Sequence, residues 1–496
     1  MKSVVVVGGG IVGCSIARNL SRYEIETHLV ESRPDVGWGV TKANTSIIHP
    51  GHEEDASLHP LRAKFCVEGN RIWRRWVGEM DIPSSWNGEL MVALDDGDVG
   101  KLEHYLRLGE KNGVEGLEIV DGEEMRKLEP NITPDATAAL WAPAAGLIAP
   151  WEACIALAEN AADNGVKIHL NTEVTGVDIK GGAVAGVETV GGVIKADVVI
   201  NAAGLFADSI SEMAGVPLSI KPRKGQYYLF REGGGPNVER IVHMTPTETT
   251  KGVYAVKTVE GNLRLGPTAE DMDEDEKDER STTGEGLDYV WENAGKFLAS
   301  LPPKSTVLKI FAGLRPEPAG GKYVIRAYDN PPGFVNVAGI RSPGLTAAPA
   351  IAGYVVNLLE EKLDLRMAEK ERWNPIRRGI KRFSRISDAE RQHLISSNPG
   401  YGNVVCMCKE VTEGEVVEAI NRMRKLGAEV TMDSIKFRTL AMFGECQGSF
   451  CRPRIAGIIA REAGMPLWQV SVNGEGTEYG TGDVKVLQRG ESNDGR

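Results

Sequence analysis

The chain opens with four β-branched residues, Val4 to Val7, a pattern that predicts a strand buried on both faces. This run leads directly into the glycine-rich segment Gly8 to Gly13, and the apolar residues Ile16 and Leu20 then follow at helical spacing. Short apolar strands continue to alternate with helical patterns up to about residue 215. This alternation predicts a layered α/β domain.

The pattern changes between residues 216 and 325, where polar and apolar positions alternate in short runs such as Gly225 to Phe230. These runs predict an antiparallel sheet inserted into the first domain. A buried-type strand returns at Phe334 to Gly339, followed by a helical pattern to about residue 362. We therefore expect a discontinuous first domain, residues 1–215 and 326–365, with part of 80–140 on the substrate side and 216–325 as a substrate or cap domain.

The rest of the chain divides into three parts. A polar, basic arm over residues 366–400 leads to a compact unit at 401–465, for which we expect a small and mostly helical fold. The tail, residues 466–496, is rich in Gly, Glu and Asp, and we expect it to end disordered.

The glycine-rich segment has the spacing of a dinucleotide-binding turn. Gly8 makes the tight turn, Gly10 lets the backbone approach a pyrophosphate, and Gly13 allows close packing of helix on strand. The alternative is a glycine turn without a ligand. The next strand ends at an acidic residue that suits ribose hydroxyls, and the cofactor residues predicted here are Gly8, Gly10, Ile11, Val12, Gly13, Glu31, Ser32 and Arg33.

FAD is favoured over NAD by two later segments that resemble strand ends returning to the same sheet, Asp197 to Gly204 and Phe334 to Gly339. The second leads through Arg341 to Thr346 into a helix, whose N-terminus would stabilise the negative charge of a reduced flavin. No second glycine fingerprint follows a strand in mid-chain, so a separate NAD domain is not expected. The predicted class is α/β, with a Rossmann-like FAD-binding domain.

Charge and hydropathy exclude several partners. The chain has 57 basic and 69 acidic residues, a net charge of −12, which argues against nucleic acid or an anionic membrane. The apolar stretch from Ala347 to Leu359 is shorter than the roughly 20 residues that a spanning helix needs. We expect no direct membrane insertion, no signal peptide and a cytoplasmic location.

Four of the seven cysteines lie together near the C-terminus, in the pairs Cys406/Cys408 and Cys446/Cys451. Two thiolates from each of two loops can hold an iron–sulfur cluster or a zinc ion, and their spacing leaves both open. Four unrelated free thiols are the alternative. The other three cysteines, Cys14, Cys66 and Cys154, are expected to be small core residues.

Several segments in this order resemble the D-amino-acid-oxidase-like flavoproteins and, within them, the glycerol-3-phosphate dehydrogenase and L-2-hydroxyglutarate oxidase branches. The resemblance runs from Lys2 to about Lys362. It is carried by the glycine turn and by Lys42 to Gly51, Asn201 to Gly204, Gly313 to Pro316 and Ser342 to Thr346. Cys406 to Glu415 and Cys446 to Cys451 are similar to the bacterioferritin-associated ferredoxin-like domain, which implies a [2Fe-2S] cluster.

The resemblance implies roles for individual residues. His49 would be the base, the alternative being a positioning or packing histidine. Arg315 would reach an anionic substrate, the alternative being a structural salt bridge or a flavin contact. Tyr228, Tyr254 and Arg341 are expected to line the substrate pocket, while His52 and His59 are expected in loops or at the surface. Further flavin contacts are expected from Lys42, Asn44, Thr45, Ser46, Val174, Ala203, Gly204, Gly313, Gly344, Leu345 and Thr346.

Together these features predict an FAD-dependent dehydrogenase that oxidises a small anionic secondary alcohol and passes electrons through the cluster to an acceptor protein or partner subunit. sn-Glycerol 3-phosphate is the first choice, a 2-hydroxy acid such as L-2-hydroxyglutarate the second and an amino acid the third. The segment Arg341 to Thr346 is nearer the hydroxyglutarate type than the Gly-Gly-Lys-Leu-Thr-Thr of the familiar glycerol-3-phosphate enzymes. A partner subunit would make the protein part of a hetero-oligomer. Rival interpretations are a non-catalytic electron-transfer or scaffold subunit and a zinc-stapled assembly domain.

Overall fold

The structure is a computed structural model that describes residues 2–247, 251–480 and 482. The expected disorder at the end of the polar tail concerns residues 483–496 and lies outside the described residues. The chain forms two compact units. The first consists of Met1–Glu31, Val36–Lys167 and Thr172–Arg377, and the second of Ser32–Asp35, Ile168–Asn171 and Arg378–Arg496.

Several helices of the first unit begin at a glycine or a proline. The helices of this unit are α1 (Ile11–Leu20), α2 (Pro60–Glu79), α3 (Asp96–Asn112), α4 (Gly122–Leu128), α5 (Pro150–Asp163), α6 (Ala207–Met213), α7 (Gly284–Phe297) and α8 (Gly344–Leu363). The helices of the second unit are α9 (Asp388–Ser397), which lies within the expected arm, and α10 (Glu413–Leu426), α11 (Met432–Thr439) and α12 (Arg452–Ala463), which follow it.

The strands follow in chain order, most of them short. They are β1 (Ser3–Val7), β2 (Glu26–Val30), β3 (Ile47–Ile48), β4 (Ser84–Ser85), β5 (Glu89–Ala93), β6 (Glu118–Asp121), β7 (Ala138–Ala142), β8 (Gly146–Ile148), β9 (Lys167–His169), β10 (Val174–Lys180), β11 (Ala183–Thr189), β12 (Gly192–Lys195), β13 (Val198–Asn201), β14 (Ile220–Phe230), β15 (Ile241–Met244), β16 (Tyr254–Lys257), β17 (Leu263–Gly266), β18 (Glu270–Asp271), β19 (Val307–Pro318), β20 (Val324–Ala327), β21 (Phe334–Ala338), β22 (Val404–Cys406) and β23 (Val411–Thr412).

A mainly parallel sheet carries the glycine turn. Its strands run in the order β20-β21-β13-β1-β2, and β1 pairs in parallel with both β2 and β13. Because parallel strands end at the same edge, the ends of β1, β13 and β21 meet there. Val4, Val5 and Val6 are fully buried, as the β-branched run predicted, and α1 packs against α5 and α8.

A second, mainly antiparallel sheet follows the order β18-β14-β17-β16-β15-β5-β7-β6, with β19 also paired to β14. The strands of residues 216–325 are thus joined by β5, β6 and β7, which come from residues 89–142. One face of this sheet packs under α7 around Phe230, Val290 and Phe297. On the other face Gly313 is pressed against the Ala43 backbone, where an added Cβ would overlap the carbonyl oxygen. The second face therefore borders the segment that follows the glycine turn.

The second unit is small and mainly helical. β22 and β23 form an antiparallel pair, and Thr412 then caps α10 through a capping box with Glu415. Val416, Ile420 and Met423 of α10 are fully buried, so this amphipathic helix supplies the core of the unit. Among the described residues of the whole chain, no helix is long and apolar enough to cross a membrane.

Candidate active site and cofactor sites

The glycine turn forms a cradle whose shape depends on the absence of side chains. Gly8 has φ +108°, and a Cβ there would lie 2.5 Å from the Ala202 carbonyl oxygen. A Cβ on Gly13 would overlap the Gly8 carbonyl oxygen, so this residue allows α1 to pack on β1. A Cβ on Gly10 would meet only the Thr41 hydroxyl, at 3.5 Å, among the described residues. The open space at Gly10 therefore fits a pyrophosphate at the start of α1.

Acidic and amide side chains border this cradle. Glu31 follows β2, and its Oε2 accepts a hydrogen bond of 2.7 Å from the Gly9 N–H. Ala203 donates its N–H to Asn201 Oδ1 at 3.3 Å, and Gly204 has φ +60° with open space around it. Val174 begins β10 and is buried. The predicted residues Ser32 and Arg33 belong to the second compact unit.

The segment from Lys42 to Ser46 is held by hydrogen bonds near the cradle. Thr41 Oγ1 accepts from the Ile11 N–H at 3.0 Å, and Asn44 Nδ2 donates to the Thr41 carbonyl at 2.7 Å. Ser46 donates its N–H to Asn44 Oδ1 at 2.7 Å. Lys42 lies over the ring of Trp38, 4.7 Å from its centroid. Thr45 is joined to the second sheet, because its carbonyl accepts from Arg264.

His49 is joined to the first turn of α8. Its N–H donates to Thr346 Oγ1 at 2.9 Å, and its carbonyl accepts from Asn70 Nδ2 at 3.1 Å. Trp73 Nε1 donates to the Leu345 carbonyl at 2.9 Å, which links α2 to the same turn, and Gly344 begins α8. The structure therefore brings His49 together with the segment that begins α8.

Buried acidic and basic side chains lie around the imidazole ring of His49. Glu53 Oε2 lies 4.0 Å from His49 Nδ1 and 2.9 Å from Lys251 Nζ. Lys251 Nζ also pairs with Glu54 Oε1 at 2.6 Å, and Glu54 accepts from Arg62 Nε at 2.8 Å. The side chains of Glu53 and Glu54 are only 4% and 1% exposed, so these ion pairs are shielded from water. We call His49, Glu53, Glu54, Arg62 and Lys251 the His49 cluster.

A second group lies beside this cluster on strands of the second, mainly antiparallel sheet, which we call the large sheet. Tyr254 donates its hydroxyl to Glu53 Oε1 at 3.4 Å, and its ring stacks on His243 with a centroid distance of 4.3 Å. His243 Nε2 forms an ion pair of 2.9 Å with Glu89 Oε1. His52 is only 1% exposed, and neither ring nitrogen has a hydrogen-bond partner among the described residues. His52 and His59 both lie in the loop before α2, as expected, but His52 is buried because this part of the loop packs against Gly109.

The charges of the cluster set the protonation of its members. Burial, and then the positive charge of Lys251, lower the pKa of His49 below its ordinary value. Burial raises the pKa of Glu53, but Lys251 and the nearby histidines outweigh it, and the net pKa is lowered. Burial opposes the charge of Lys251, yet Glu53 and Glu54 raise its pKa overall. A neutral imidazole thus lies beside an ionised carboxylate and an ammonium group.

Two arginines extend the positive charge along the large sheet. They lie on the face that borders Ala43 and Ser46, which we call the site face. Arg315 donates from Nη2 to the Thr268 carbonyl at 2.7 Å, beside Gly225. Arg264 is buried and donates from Nη1 to Ser46 Oγ at 3.2 Å, while its Nε has no partner within the described part of the chain. Burial lowers the pKa of Arg264 to about 10. These groups suit an anionic ligand.

The other three predicted substrate residues lie in three different surroundings. Tyr254 lies in the group beside His49. Arg341 forms an ion pair with Glu317, so its charge is already balanced. Tyr228 lies on the opposite face of the sheet, where its ring packs 5.8 Å from Phe230 and 5.9 Å from Trp291. Tyr228 is therefore not brought together with Tyr254 and His49, because alternate residues of β14 point to opposite faces.

Five further residues of the site are not recognisable in the sequence. The run from His52 to Asp55 is polar and resembles a solvated loop, and only tertiary contacts reveal that two of its carboxylates are buried. Arg264 lies on an alternating strand where an arginine usually faces solvent. A buried arginine or paired glutamates leave no local signal in one sequence, and the missed residues are Glu53, Glu54, Arg62, Lys251 and Arg264.

In the second unit the four C-terminal cysteines form two thiol pairs, Cys406 with Cys451 and Cys408 with Cys446. The contact with Cys451, and then backbone N–H groups, lower the pKa of Cys406 to about 6. Among the described residues, no three or more His, Cys, Asp or Glu side chains are arranged to hold a metal ion. Two pairs fit a [2Fe-2S] cluster, which takes two protein ligands at each iron.

The loops around these thiols have unusual backbone conformations. Glu410, Leu440, Met442 and Gln447 all have φ between 47° and 67°, a region that non-glycine residues rarely adopt. A Cβ on Gly444 would overlap Cys408 Cβ. Such strain persists where surrounding structure fixes it, commonly at ligand sites. The loops are thus shaped to bring sulfur and backbone N–H groups together.

Comparison with known proteins identifies both regions. Residues 3–358 match the family described as FAD dependent oxidoreductase, and residues 404–461 match the BFD-like [2Fe-2S] binding domain. A glycerol 3-phosphate dehydrogenase of Caloramator mitchellensis is 39% identical over 486 residues, covering 98% of this chain and 99% of that protein. One component of the anaerobic glycerol-3-phosphate dehydrogenase of Escherichia coli K12 is 26% identical, covering 92% of this chain and 88% of that protein.

Among solved structures, the FAD-bound, dithionite-reduced L-α-glycerophosphate oxidase of Mycoplasma pneumoniae is 31% identical, with a TM-score of 0.70. The match covers 76% of this chain and 98% of that one. The predicted α/β fold class and both predicted cofactors are confirmed by these matches. The chain belongs to the FAD-dependent oxidoreductase family, as an FAD-dependent dehydrogenase that also carries a BFD-like [2Fe-2S] binding domain.

Proposed function

We propose that this dehydrogenase oxidises sn-glycerol 3-phosphate to dihydroxyacetone phosphate and passes the electrons through its [2Fe-2S] cluster to a separate acceptor. The observation that carries the proposal is the buried, neutral His49 beside a set of cations. Relatives named for glycerol 3-phosphate oxidation, one of which matches over nearly the whole length of the chain, support the choice of substrate.

Oxidation of a secondary alcohol removes a hydride from carbon and a proton from oxygen, and leaves a ketone. Bound FAD would supply the acceptor for the hydride, and the [2Fe-2S] cluster would supply a carrier of single electrons. His49 takes the hydroxyl proton, because its lowered pKa keeps the imidazole neutral at neutral pH. Thr346 and Asn70 hold its backbone on both sides, which keeps the ring in place during the transfer.

The cations of the site favour a small dianion. Arg315 and Arg264 present guanidinium groups on the site face, and Lys251 presents an ammonium group from the His49 cluster. Arginine binds phosphate with two parallel hydrogen bonds, and the low dielectric of a buried site strengthens each contact. We infer that these three residues hold the phosphate, with Lys251 exchanging one of its two carboxylate partners for the anion, and that Arg341 stays paired with Glu317.

A 2-hydroxy acid is the second candidate substrate. The segment from Arg341 to Thr346 favours it on sequence grounds. The mitochondrial L-2-hydroxyglutarate dehydrogenase of Arabidopsis thaliana is 26% identical over 71% of this chain. The similar amino-acid-oxidising structures are mostly under 25% identical and support the fold alone.

Electrons are expected to leave through a partner protein. The relative from Haloferax volcanii is named as one of the subunits of an anaerobic glycerol-3-phosphate dehydrogenase, which supports a hetero-oligomer with an electron-accepting partner. A non-catalytic electron-transfer protein would have no use for a buried base and cations. The His49 cluster therefore favours a catalytic role.

Anaerobic titration of the purified, metal-analysed protein tests the proposal. We expect sn-glycerol 3-phosphate to bleach the visible flavin band, while L-2-hydroxyglutarate and amino acids leave it unchanged at the same concentration. Bleaching by L-2-hydroxyglutarate alone would transfer the assignment to the second candidate. Bleaching by none of them, with FAD fully bound, would refute the dehydrogenase as proposed.

A further inference from the structure

The side chain of His49 has one nitrogen whose role is open. Its Nδ1 atom is buried and has no hydrogen-bond partner among the residues that the structure describes. Glu53, four residues later in the same loop, brings its Oε2 to 4.0 Å from that nitrogen. A hydrogen bond between nitrogen and oxygen is about 2.9 Å long, so a movement of about 1 Å would join them.

We propose that Glu53 is a positioning residue for His49, whose carboxylate accepts a hydrogen bond from Nδ1–H in the substrate-bound enzyme. This inference rests on the proposed function. Which ring nitrogen of a histidine accepts a proton depends on the hydrogen bond that the other ring nitrogen makes. With Nδ1 protonated and held by Glu53, Nε2 is the atom that takes the hydroxyl proton. The carboxylate then balances the charge of the imidazolium that forms.

The contacts of Glu53 explain why the hydrogen bond is not made in the free protein. Oε2 faces both His49 Nδ1 and Lys251 Nζ, and the latter holds it at 2.9 Å. Oε1 faces the Tyr254 hydroxyl at 3.4 Å. An anionic substrate that binds Lys251 competes for the ammonium group and releases Oε2 toward His49. Substrate binding would thereby orient the base only when the anion is present.

Several other charged or titratable groups face His49 and affect any pH profile. From its own loop these are His52, Glu53 and Glu54; from β5, β15 and β16 they are Glu89, His243 and Tyr254; and Lys251 precedes β16. The three carboxylates raise the pKa of His49, whereas burial and Lys251 lower it. Removing the charge of Glu53 should therefore shift the pH midpoint of flavin reduction downward.

Glu54 offers a matched control. It is equally buried and it pairs with the same Lys251, but its other partner is Arg62. Glu54→Gln removes the same charge one residue away from the proposed contact. Glu53→Asp keeps the charge but shortens the side chain by one methylene, which withdraws the carboxylate from Nδ1.

The test measures anaerobic flavin reduction by sn-glycerol 3-phosphate in stopped flow, with FAD-loaded wild type and variants across a range of pH. A positioned general base contributes about 10²–10⁴ to a rate, so we expect Glu53→Gln to lose at least about tenfold more in limiting rate than Glu54→Gln. Its pH midpoint should fall. In Glu53→Asp the midpoint should return toward that of wild type, while the limiting rate stays below it.

Equal losses in Glu53→Gln and Glu54→Gln, with the same pH midpoint, would overturn the inference, because both would then act only through Lys251 or stability. If Glu53→Gln cannot be isolated with FAD, Glu53→Asp carries the test, and a wild-type limiting rate in it would overturn the inference. Failure of the wild type itself to be reduced would refute the proposed function, which distinguishes the two.

Discussion

The cysteine site and the His49 cluster are built in opposite ways. The four thiols come from two short segments of the second unit, and the two cysteines within each segment are visible as a spacing in the sequence. The structure pairs them across the segments, Cys406 with Cys451 and Cys408 with Cys446. The His49 cluster combines a loop at residues 49–54, α2 through Arg62 and the distant residue Lys251. Ligands of a metal cluster need a fixed number of soft donors close together, which constrains local sequence. A proton-transfer site needs burial and opposing charges, which any distant elements can supply.

The glycine cradle offers the largest expected effect in the first unit. Gly13→Ala should abolish FAD binding, because the added Cβ overlaps the Gly8 carbonyl and forces α1 away from β1. Absorbance of bound FAD after gel filtration measures this loss. Gly353→Ala, within α8, is the control. Its Cβ would lie 4.0 Å from Asn19 Nδ2 of α1, an ordinary contact, and this variant should retain full FAD. Full FAD content in Gly13→Ala would contradict the proposed packing.

In the second unit, Cys451→Ser should remove the iron–sulfur cluster and leave FAD in place. Its thiol is buried and pairs with Cys406, so loss of one ligand exposes an iron. Iron and acid-labile sulfide analysis checks the outcome. Met407→Leu, a change of an exposed residue between two ligands, should keep the wild-type iron content. Zinc without iron in the wild-type protein would contradict the cluster itself.

Replacing the proposed base should slow chemistry without removing either cofactor. His49→Gln should reduce the rate of anaerobic flavin reduction by about 10²–10⁴. In wild type the reduction rate at low substrate should rise with pH through a midpoint below about 6.5, because only the neutral ring accepts a proton and its pKa is lowered. His49→Gln should lose this dependence.

The control for His49 is His104→Gln, a change at an exposed histidine of α3. It should keep both the wild-type rate and its pH dependence. A His49→Gln protein that retains the wild-type pH midpoint would assign the titration to another group, and His49 would then have only a packing role.

The smallest expected effects on the reduction rate come from two tyrosines that lie on opposite faces of the large sheet. Tyr254→Phe should lower the limiting reduction rate by about two- to tenfold, because it removes a hydrogen bond to a charged carboxylate. Tyr228→Phe should leave the rate unchanged, since its ring packs with Phe230 and Trp291 on the opposite face. Stopped-flow reduction of both variants makes the comparison. A larger effect in Tyr228→Phe would reverse the assignment of faces.

The strand, the turn and the helices were predicted well from the sequence, whereas the faces on which individual strand residues lie were not. The buried strand at Val4, the turn residues Gly8 and Gly13 and the helix at Val416 follow the sequence pattern closely, because burial on one or both faces imposes a period on apolar residues. Tyr228 and Tyr254 look alike in sequence, yet they lie on different faces. The face of a residue in a strand depends on how the sheet packs, which a single strand does not specify.

By itself, the sequence determined the α/β class, the glycine turn and the two cysteine pairs, because each rests on local spacing that backbone geometry or thiolate ligation requires. The tertiary structure alone decided that Glu53, Glu54 and Lys251 gather around His49 and that Arg264 is buried near the same segment. The effect of these groups on the pKa of His49 comes from low dielectric and short distances between remote residues, and neither is encoded in local order.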